Sequence, residues 1–183
     1  FYQSENQFKK QNTLINILFK AARGQYIALC EGDDYWTDPH KLQKQVDVLE
    51  KNSECSYVFT RKKNLMPNGK FISDEKYNLP EVFDLHTLLK SNIMPSSQTV
   101  VIRKNALPNI LPNIFQNTFN GDWVLLFVVT HNNKITFLED ETAVYRKGVG
   151  VVSKTVMSYK MLNSIETNKI INDYTNYHYD YHL

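Results

Sequence analysis

The stretch GQYIALCEGDDYWTDP, residues 24–39, constrains this chain more than any other. Tyr26-Ile27-Ala28-Leu29-Cys30 is apolar at consecutive rather than alternate positions, the pattern of a strand covered on both faces in a parallel or mixed α/β sheet. The run then ends abruptly in Glu31, Asp33 and Asp34, with Asp38 close behind. Crowded carboxylates repel one another and favour water. Such a strand leads either into a solvated turn or into a place where a cation sits.

The flanking sequence fits an α/β sheet. In QNTLINILFKAARG (11–24), Leu14, Ile15, Leu18, Ala21 and Ala22 fall at helical spacing, and Gly24 stands where a left-handed helix cap is expected. A helix, a glycine break and a two-sided strand make half of a βαβ crossover. TDPHKLQKQVDVLEKN (37–52) predicts a helix with Asp38 as N-cap, Pro39 at its first position, and Leu42, Gln45, Val46 and Leu49 facing inward. CSYVFT (55–60) reads as a strand, and NLMPNGKFI (64–72) as a hairpin turning at Asn68-Gly69. VFDLHTLLKSN (82–92) reads as a short helix capped at Asp84, and SSQTVVIRK (96–104) as a strand. GDWVLLFVVTHNN (121–133) is apolar on nearly every side and predicts a deeply buried helix. KITFLE and TAVYRK predict two closing strands, and the chain reads as helical from about Thr155 to its tyrosine-rich end. Residues 105–118 carry no clear pattern. Neither repeats nor linker-like composition divide the chain, so one domain over 1–183 is expected, with 155–183 as its helical tail.

Composition narrows the function. Over 183 residues, 42% hydrophobic and 22% charged content is ordinary for a globular protein. A net charge of +2, with no basic run longer than Arg61-Lys62-Lys63, argues against nucleic acid as a partner. The longest apolar run, Trp123 to Val129, falls far short of the ~20 residues a membrane-spanning helix needs. Cys30 and Cys55, isolated in expected strands, read as buried reduced thiols in a cytoplasmic protein. The histidines match no common zinc spacing.

Two places carry chemistry. Open α/β sheets bind ligands just past the carboxyl ends of their strands, where Asp33 and Asp34 fall, with Gly32 easing the turn. Paired carboxylates there suit a hard cation such as Mg²⁺ or Mn²⁺, which takes one or two carboxylates and completes its shell with water and phosphate oxygens. The plain alternative is an acidic loop leading into a helix cap. Asp122, in NGDW (120–123), opens the apolar helix and could cap it, or it could serve as a base at the edge of a pocket.

Taken together, GQYIALCEGDDYWTDPHKLQKQVDVLE, FDLHTLLKSNIMPSSQTVVIRK, NGDWVLLFVV and DETAVYRKG resemble bacterial family 2 glycosyltransferases over roughly residues 3 to 153. The resemblance implies a GT-A fold, a Rossmann-like mixed sheet flanked by helices. It implies an inverting hexosyl transfer from a nucleotide-sugar donor, most simply a UDP-sugar, to a glycan, polysaccharide or lipid-linked acceptor. It places Mg²⁺ or Mn²⁺ on Asp33 and Asp34, with Asp34 the more direct ligand, and makes Asp122 the general base. Glu31, Asp33, Trp36, Trp123, Arg146 and Lys147 are implied as substrate contacts, in a cytoplasmic protein that could sit at the inner face of the membrane.

The sequence departs from the family in two respects. Where relatives often carry a histidine after the Tyr-Arg pair, Lys147 and Gly148 stand here, and Lys147 is either a cation for the diphosphate or a solvated strand-end lysine. The family's first donor-binding strand has no counterpart before SENQ (4–7), so the chain is expected to be amino-terminally truncated and a poor catalyst alone. A non-catalytic module that binds metal–nucleotide or a partner is the rival expectation. A nucleotidyl or phosphoryl transferase is disfavoured, because no G-x-x-x-x-G-K loop occurs.

Overall fold

A computed structural model describes residues 14–108, 120–150 and 155–179. Among these residues one mixed sheet organises the molecule, with strands β1 (Tyr26–Ala28), β2 (Tyr35–Trp36), β3 (Cys55–Leu65), β4 (Phe71–Ser73), β5 (Val82–Phe83), β6 (Val101–Arg103) and β7 (Lys134–Arg146). Its order is β1-β6-β3-β7-β2, with β4 on β3 and β5 on β7. The central β3–β7 pair is parallel and β6 runs antiparallel to both β1 and β3, so β1, β3 and β7 point the same way. The helices are α1 (Lys41–Lys51), α2 (Leu85–Lys90), α3 (Gly121–Thr130) and α4 (Met157–Tyr174). This is the mixed α/β, GT-A-like architecture expected.

Strand alternation explains the layers. Tyr57, Phe59, Ile102, Ile135 and Phe137 project to one face and form a single core with α2, α3, Ile171 of α4 and Tyr179. Their neighbours Val58, Val101 and Leu138 project to the other face and meet Leu49 of α1. A sheet apolar on both sides must be covered on both sides, as the run at 26–30 indicated. Helix α3 is the most enclosed element: Val124 through Thr130 are all buried.

Several expectations need correction. The opening helix coils as a π-helix over Leu14–Phe19, while residues 11–13 lie outside those described. Gly24 does not cap it in the left-handed region. Its small size matters instead because a Cβ there would meet the Tyr26 carbonyl oxygen at 3.2 Å. The left-handed glycines are Gly69, at φ 81° in the β3–β4 hairpin, and Gly148. Helix α1 begins at Lys41, not Pro39, because a turn intervenes in which the Asp38 carboxylate accepts the His40 N–H at 2.8 Å. Asp84 does cap α2, accepting the Thr87 N–H at 2.9 Å and its hydroxyl at 2.8 Å.

The two closing strands expected from KITFLE and TAVYRK are one, β7. Their junction, LEDE, looks like a turn because it is so acidic. Cations hold it in the sheet instead: Arg61 meets Glu139 at 3.6 Å and Glu141 at 3.4 Å, Lys63 meets Glu141 at 3.5 Å, and Lys44 reaches Asp140. The ladder absorbs the extra residues as register shifts on either side of Arg61. By the same ladder β3 continues five residues past Thr60, through RKKNL.

The inward face of α1 also differs from the expected one. Leu42 is 40% exposed, while Lys41 is 1% exposed. The Lys41 ammonium donates to Gln45 Oε1 at 2.6 Å and lies 4.8 Å from the centre of the Trp36 ring. Gln45 in turn donates to the carbonyls of Thr99 at 2.8 Å and Val58 at 3.3 Å, pinning the helix to the sheet. Cys55 is buried as expected, but Cys30 is exposed because β1 ends before reaching it. No described helix is long and apolar enough to cross a membrane.

Burial depresses the Lys41 ammonium to about 8. A lysine whose folded pKa lies below its unfolded value near 10.5 leaves the unfolded chain holding more protons between those two values, so stability rises with pH across that window. Chemical denaturation of wild type and Lys41→Met at pH 8 and pH 10.5 should show the gap moving in favour of wild type by about 3 kcal/mol, from 1.36 kcal/mol per pKa unit. A gap that stays constant would mean that Lys41 is not desolvated.

Candidate functional site

The acidic turn crosses the end of the sheet between β1 and β2. Leu29 N–H, one residue past the end of β1, still pairs with the Val100 carbonyl at 3.2 Å. Asp34 N–H closes the turn onto the Glu31 carbonyl at 3.1 Å. The Cys30 thiol braces it from below, 3.7 Å from the carbonyls of both Glu31 and Asp34. Trp36 anchors the far side: its indole N–H donates to the Gln98 carbonyl at 3.0 Å and one face rests on Lys41, while 37% of the residue stays exposed.

The four sequence-assigned carboxylates come together here. Glu31 accepts the Ser97 hydroxyl at 2.9 Å from the turn Ser97–Thr99, and lies near enough to Asp122, Asp33 and Asp34 to be repelled by all three. Burial first, then those charges, push the Glu31 carboxyl up, against the Ser97 hydrogen bond. Burial likewise pushes Asp34 up, opposed by the Arg146 N–H, which donates to its Oδ1 at 2.8 Å. Asp122 stands on the first turn of α3, with Asn120 in the N-cap position. The Asp122 side chain accepts the Trp123 N–H at 2.9 Å, and desolvation among the surrounding protein atoms raises its carboxyl although water can still reach it.

Trp123, assigned to the acceptor pocket, packs 5.9 Å from Phe127 against the main core, and its indole N–H is buried without an acceptor among the described residues. Arg146 closes β7 with its backbone N–H on Asp34 and its Nε on the Asp33 carbonyl. Lys147 turns away, its N–H on the Leu65 carbonyl at 2.9 Å and its ammonium 5.0 Å from the Tyr145 ring centre. Sequence reasoning missed Ser97, Gly150 and the Cys30 brace, because each acts by proximity alone. A recess of about 370 Å³ lined by Glu54, Asp84, His131 and Lys134 opens at the other end of α3, away from these carboxylates.

The donor set suits a hard cation. Asp34 has one oxygen committed to Arg146 and the other free of any hydrogen bond among the described residues, and the Asp33 side chain bears none. No three His, Cys, Asp or Glu side chains form a metal-holding group among the described residues. A cation here would therefore rest on Asp33 and Asp34, with water and ligand oxygens completing its shell, the habit of Mg²⁺.

Similarity to known proteins places the chain in context. The family described as Glycosyl transferase family 2 matches residues 2–111. Uncharacterized protein Mb1547 of Mycobacterium bovis is 33% identical over 131 residues, 71% of this chain and 37% of that relative. Uncharacterized protein Rv1520 of Mycobacterium tuberculosis matches to the same extent. The chain thus spans well under half the length of these curated relatives.

Raised carboxyl groups make the fold less stable as pH climbs through them toward neutrality. Asp34→Asn, whose amide oxygen can still accept the Arg146 N–H, should therefore melt no lower than wild type at pH 7 without metal. Adding Mn²⁺ at about 100 times its Kd should stabilise wild type by about 2.7 kcal/mol and leave Asp34→Asn unmoved, as read by thermal melts. An equal response in both proteins would remove Asp34 from the cation site.

Proposed function

This chain belongs to glycosyl transferase family 2, and we propose that it serves to move a hexose from a nucleoside-diphosphate sugar, a UDP-sugar, to a hydroxyl of a glycan, polysaccharide or lipid-linked acceptor, with inversion. The observation that carries the reading is the meeting of two acidic segments 88 residues apart: Glu31 of the β1 turn feels the charges of Asp33, Asp34 and Asp122 together. One end of the sheet thus offers both a pair of oxygens for a cation and a separate carboxylate.

Asp122 is the base. An acceptor hydroxyl gives its proton to the Asp122 carboxylate as its oxygen forms a bond to the anomeric carbon. The bond from that carbon to the diphosphate oxygen breaks on the opposite side, and its electron pair leaves with the diphosphate. Desolvation pushes the Asp122 carboxyl up, which makes its carboxylate a stronger base. Asp33 and Asp34 are the residues to hold Mg²⁺ or Mn²⁺, whose chemistry when bound is to neutralise the charge of the diphosphate. Glu31, held by the Ser97 hydroxyl, stands near both as a further carboxylate. Trp36, with its free face beside the turn, is the aromatic surface for the donor.

Donor binding and transfer, measured separately on the natural full-length protein, divide these roles. Asp122→Asn should bind UDP with Mn²⁺ as wild type does and lose about 10²- to 10⁴-fold in kcat. Asp34→Asn should lose the Mn²⁺-dependent part of UDP binding. Full transfer by both variants would overturn the assignments. Mn²⁺-dependent UDP binding by wild type, with no sugar transferred or released from a UDP-sugar, would instead favour a binding module.

A further inference from the structure

The end of β7 and the residues just past it lie against the acidic turn, with two hydrogen bonds and one close approach. The Arg146 N–H donates to Asp34 Oδ1 at 2.8 Å, and the Arg146 Nε donates to the backbone carbonyl of Asp33. Four residues later, a Cβ on Gly150 would stand 2.6 Å from Asp33 Oδ2, a distance real Cβ atoms do not tolerate. Between them Gly148 adopts φ 82°, which L side chains rarely adopt, and Lys147 N–H ties back to Leu65 of β3. One residue thus grips adjacent aspartates by two different groups, and a glycine is seated against the carboxylate that remains.

These contacts decide how Arg146 can act. A guanidinium whose Nε is spent on a backbone carbonyl is fixed by the turn, and in holding that carbonyl it fixes the turn in exchange. The carboxylates of Glu31, Asp33 and Asp34, crowded into one turn, need such a restraint. The turn has one internal backbone bond, Asp34 to Glu31, and the short strand β2 beyond it. Without the strap, repulsion would drive Asp33 and Asp34 apart into water.

We propose that Arg146 is a positioning residue rather than a substrate contact: the strap 146–150 clamps the Asp33–Asp34 turn, and Gly150 reserves the space beside Asp33 Oδ2 that keeps this carboxylate in place. The proposal rests on the reading of these aspartates as a cation site, and extends it to the groups that hold them. Groups behind metal ligands set ligand orientation, and their loss costs about 10- to 100-fold in metal affinity. Arg146→Lys does not conserve the function, because lysine has no Nε in a planar fork and cannot reproduce the geometry.

Amide hydrogen exchange without ligand, joined to Mn²⁺ titration, tests this on the chain as it stands. In Arg146→Met and Arg146→Lys, the amides of residues 32–35 should exchange about tenfold faster than in wild type, while those of α3 do not change. Mn²⁺ affinity should fall about tenfold or more in both. Gly150→Ala should weaken Mn²⁺ to a similar degree while the Arg146 contacts keep exchange at 32–35 slow. Wild-type exchange and wild-type Mn²⁺ affinity in the Arg146 variants, with only UDP binding reduced, would overturn the clamp and restore Arg146 as a direct contact. Rescue by Arg146→Lys would show that charge alone matters and would also overturn it. If wild type itself binds no Mn²⁺, the cation reading fails, and the exchange comparison still decides whether the strap holds the turn.

Discussion

The parallel pairing of β3 with β7 carries the rest of the structure. It runs from Cys55 beside Lys134 to Leu65 beside Arg146, and every other strand hangs from it directly or through one neighbour. The ladder is long only because it tolerates a disturbance in its middle. There β7 inserts extra residues, and Arg61 and Lys63 neutralise the acidic stretch that would otherwise leave the sheet. Past this point the two strands extend beyond the exit of β1, and the end of β7 reaches back over the acidic turn. A fault in the ladder is thus what brings Arg146 within reach of Asp33 and Asp34.

The site is electrostatically costly. Glu31, Asp34 and Asp122 all have carboxyl groups raised by desolvation among the surrounding protein atoms, and the neighbouring charges add to the cost for Glu31. The turn answers with Ser97 on Glu31 and Arg146 on Asp34 and Asp33, interactions that offset the cost without cancelling the charge. Perturbed carboxyl groups gathered in a cleft are a mark of functional sites. The Lys44 link to Asp38 and Asp140 nearby makes the contrast, since there opposite charges at the surface simply pair.

Much of this could be read from the sequence. The consecutive apolar residues 26–30 required a sheet covered on two sides, and the layers formed around Phe59 and Leu49 meet that requirement. The buried helix expected over 121–133, which ends at Thr130, the Asp84 cap and the turn at Gly69 all followed from local chemistry. What failed locally failed for tertiary reasons. LEDE reads as a turn until Arg61, 78 residues earlier, is placed beside it. Lys41 reads as solvent-facing until Gln45 and Trp36 enclose it.

The order of the chain by itself determined which residue types stand at the strand exit, and so the chemistry available there: oxygen donors for a hard cation and a further carboxylate opening an apolar helix. Their arrangement was a tertiary decision. Asp122 joins Glu31, Ser97 meets its carboxylate, and the Arg146–Gly150 strap settles on Asp33 and Asp34 only after α3, the turn before β6 and the far end of β7 have been packed against one sheet. Residue type is a local property that the sequence states outright. Distance between segments many residues apart is fixed by strand order and register, which exist only once the chain has folded.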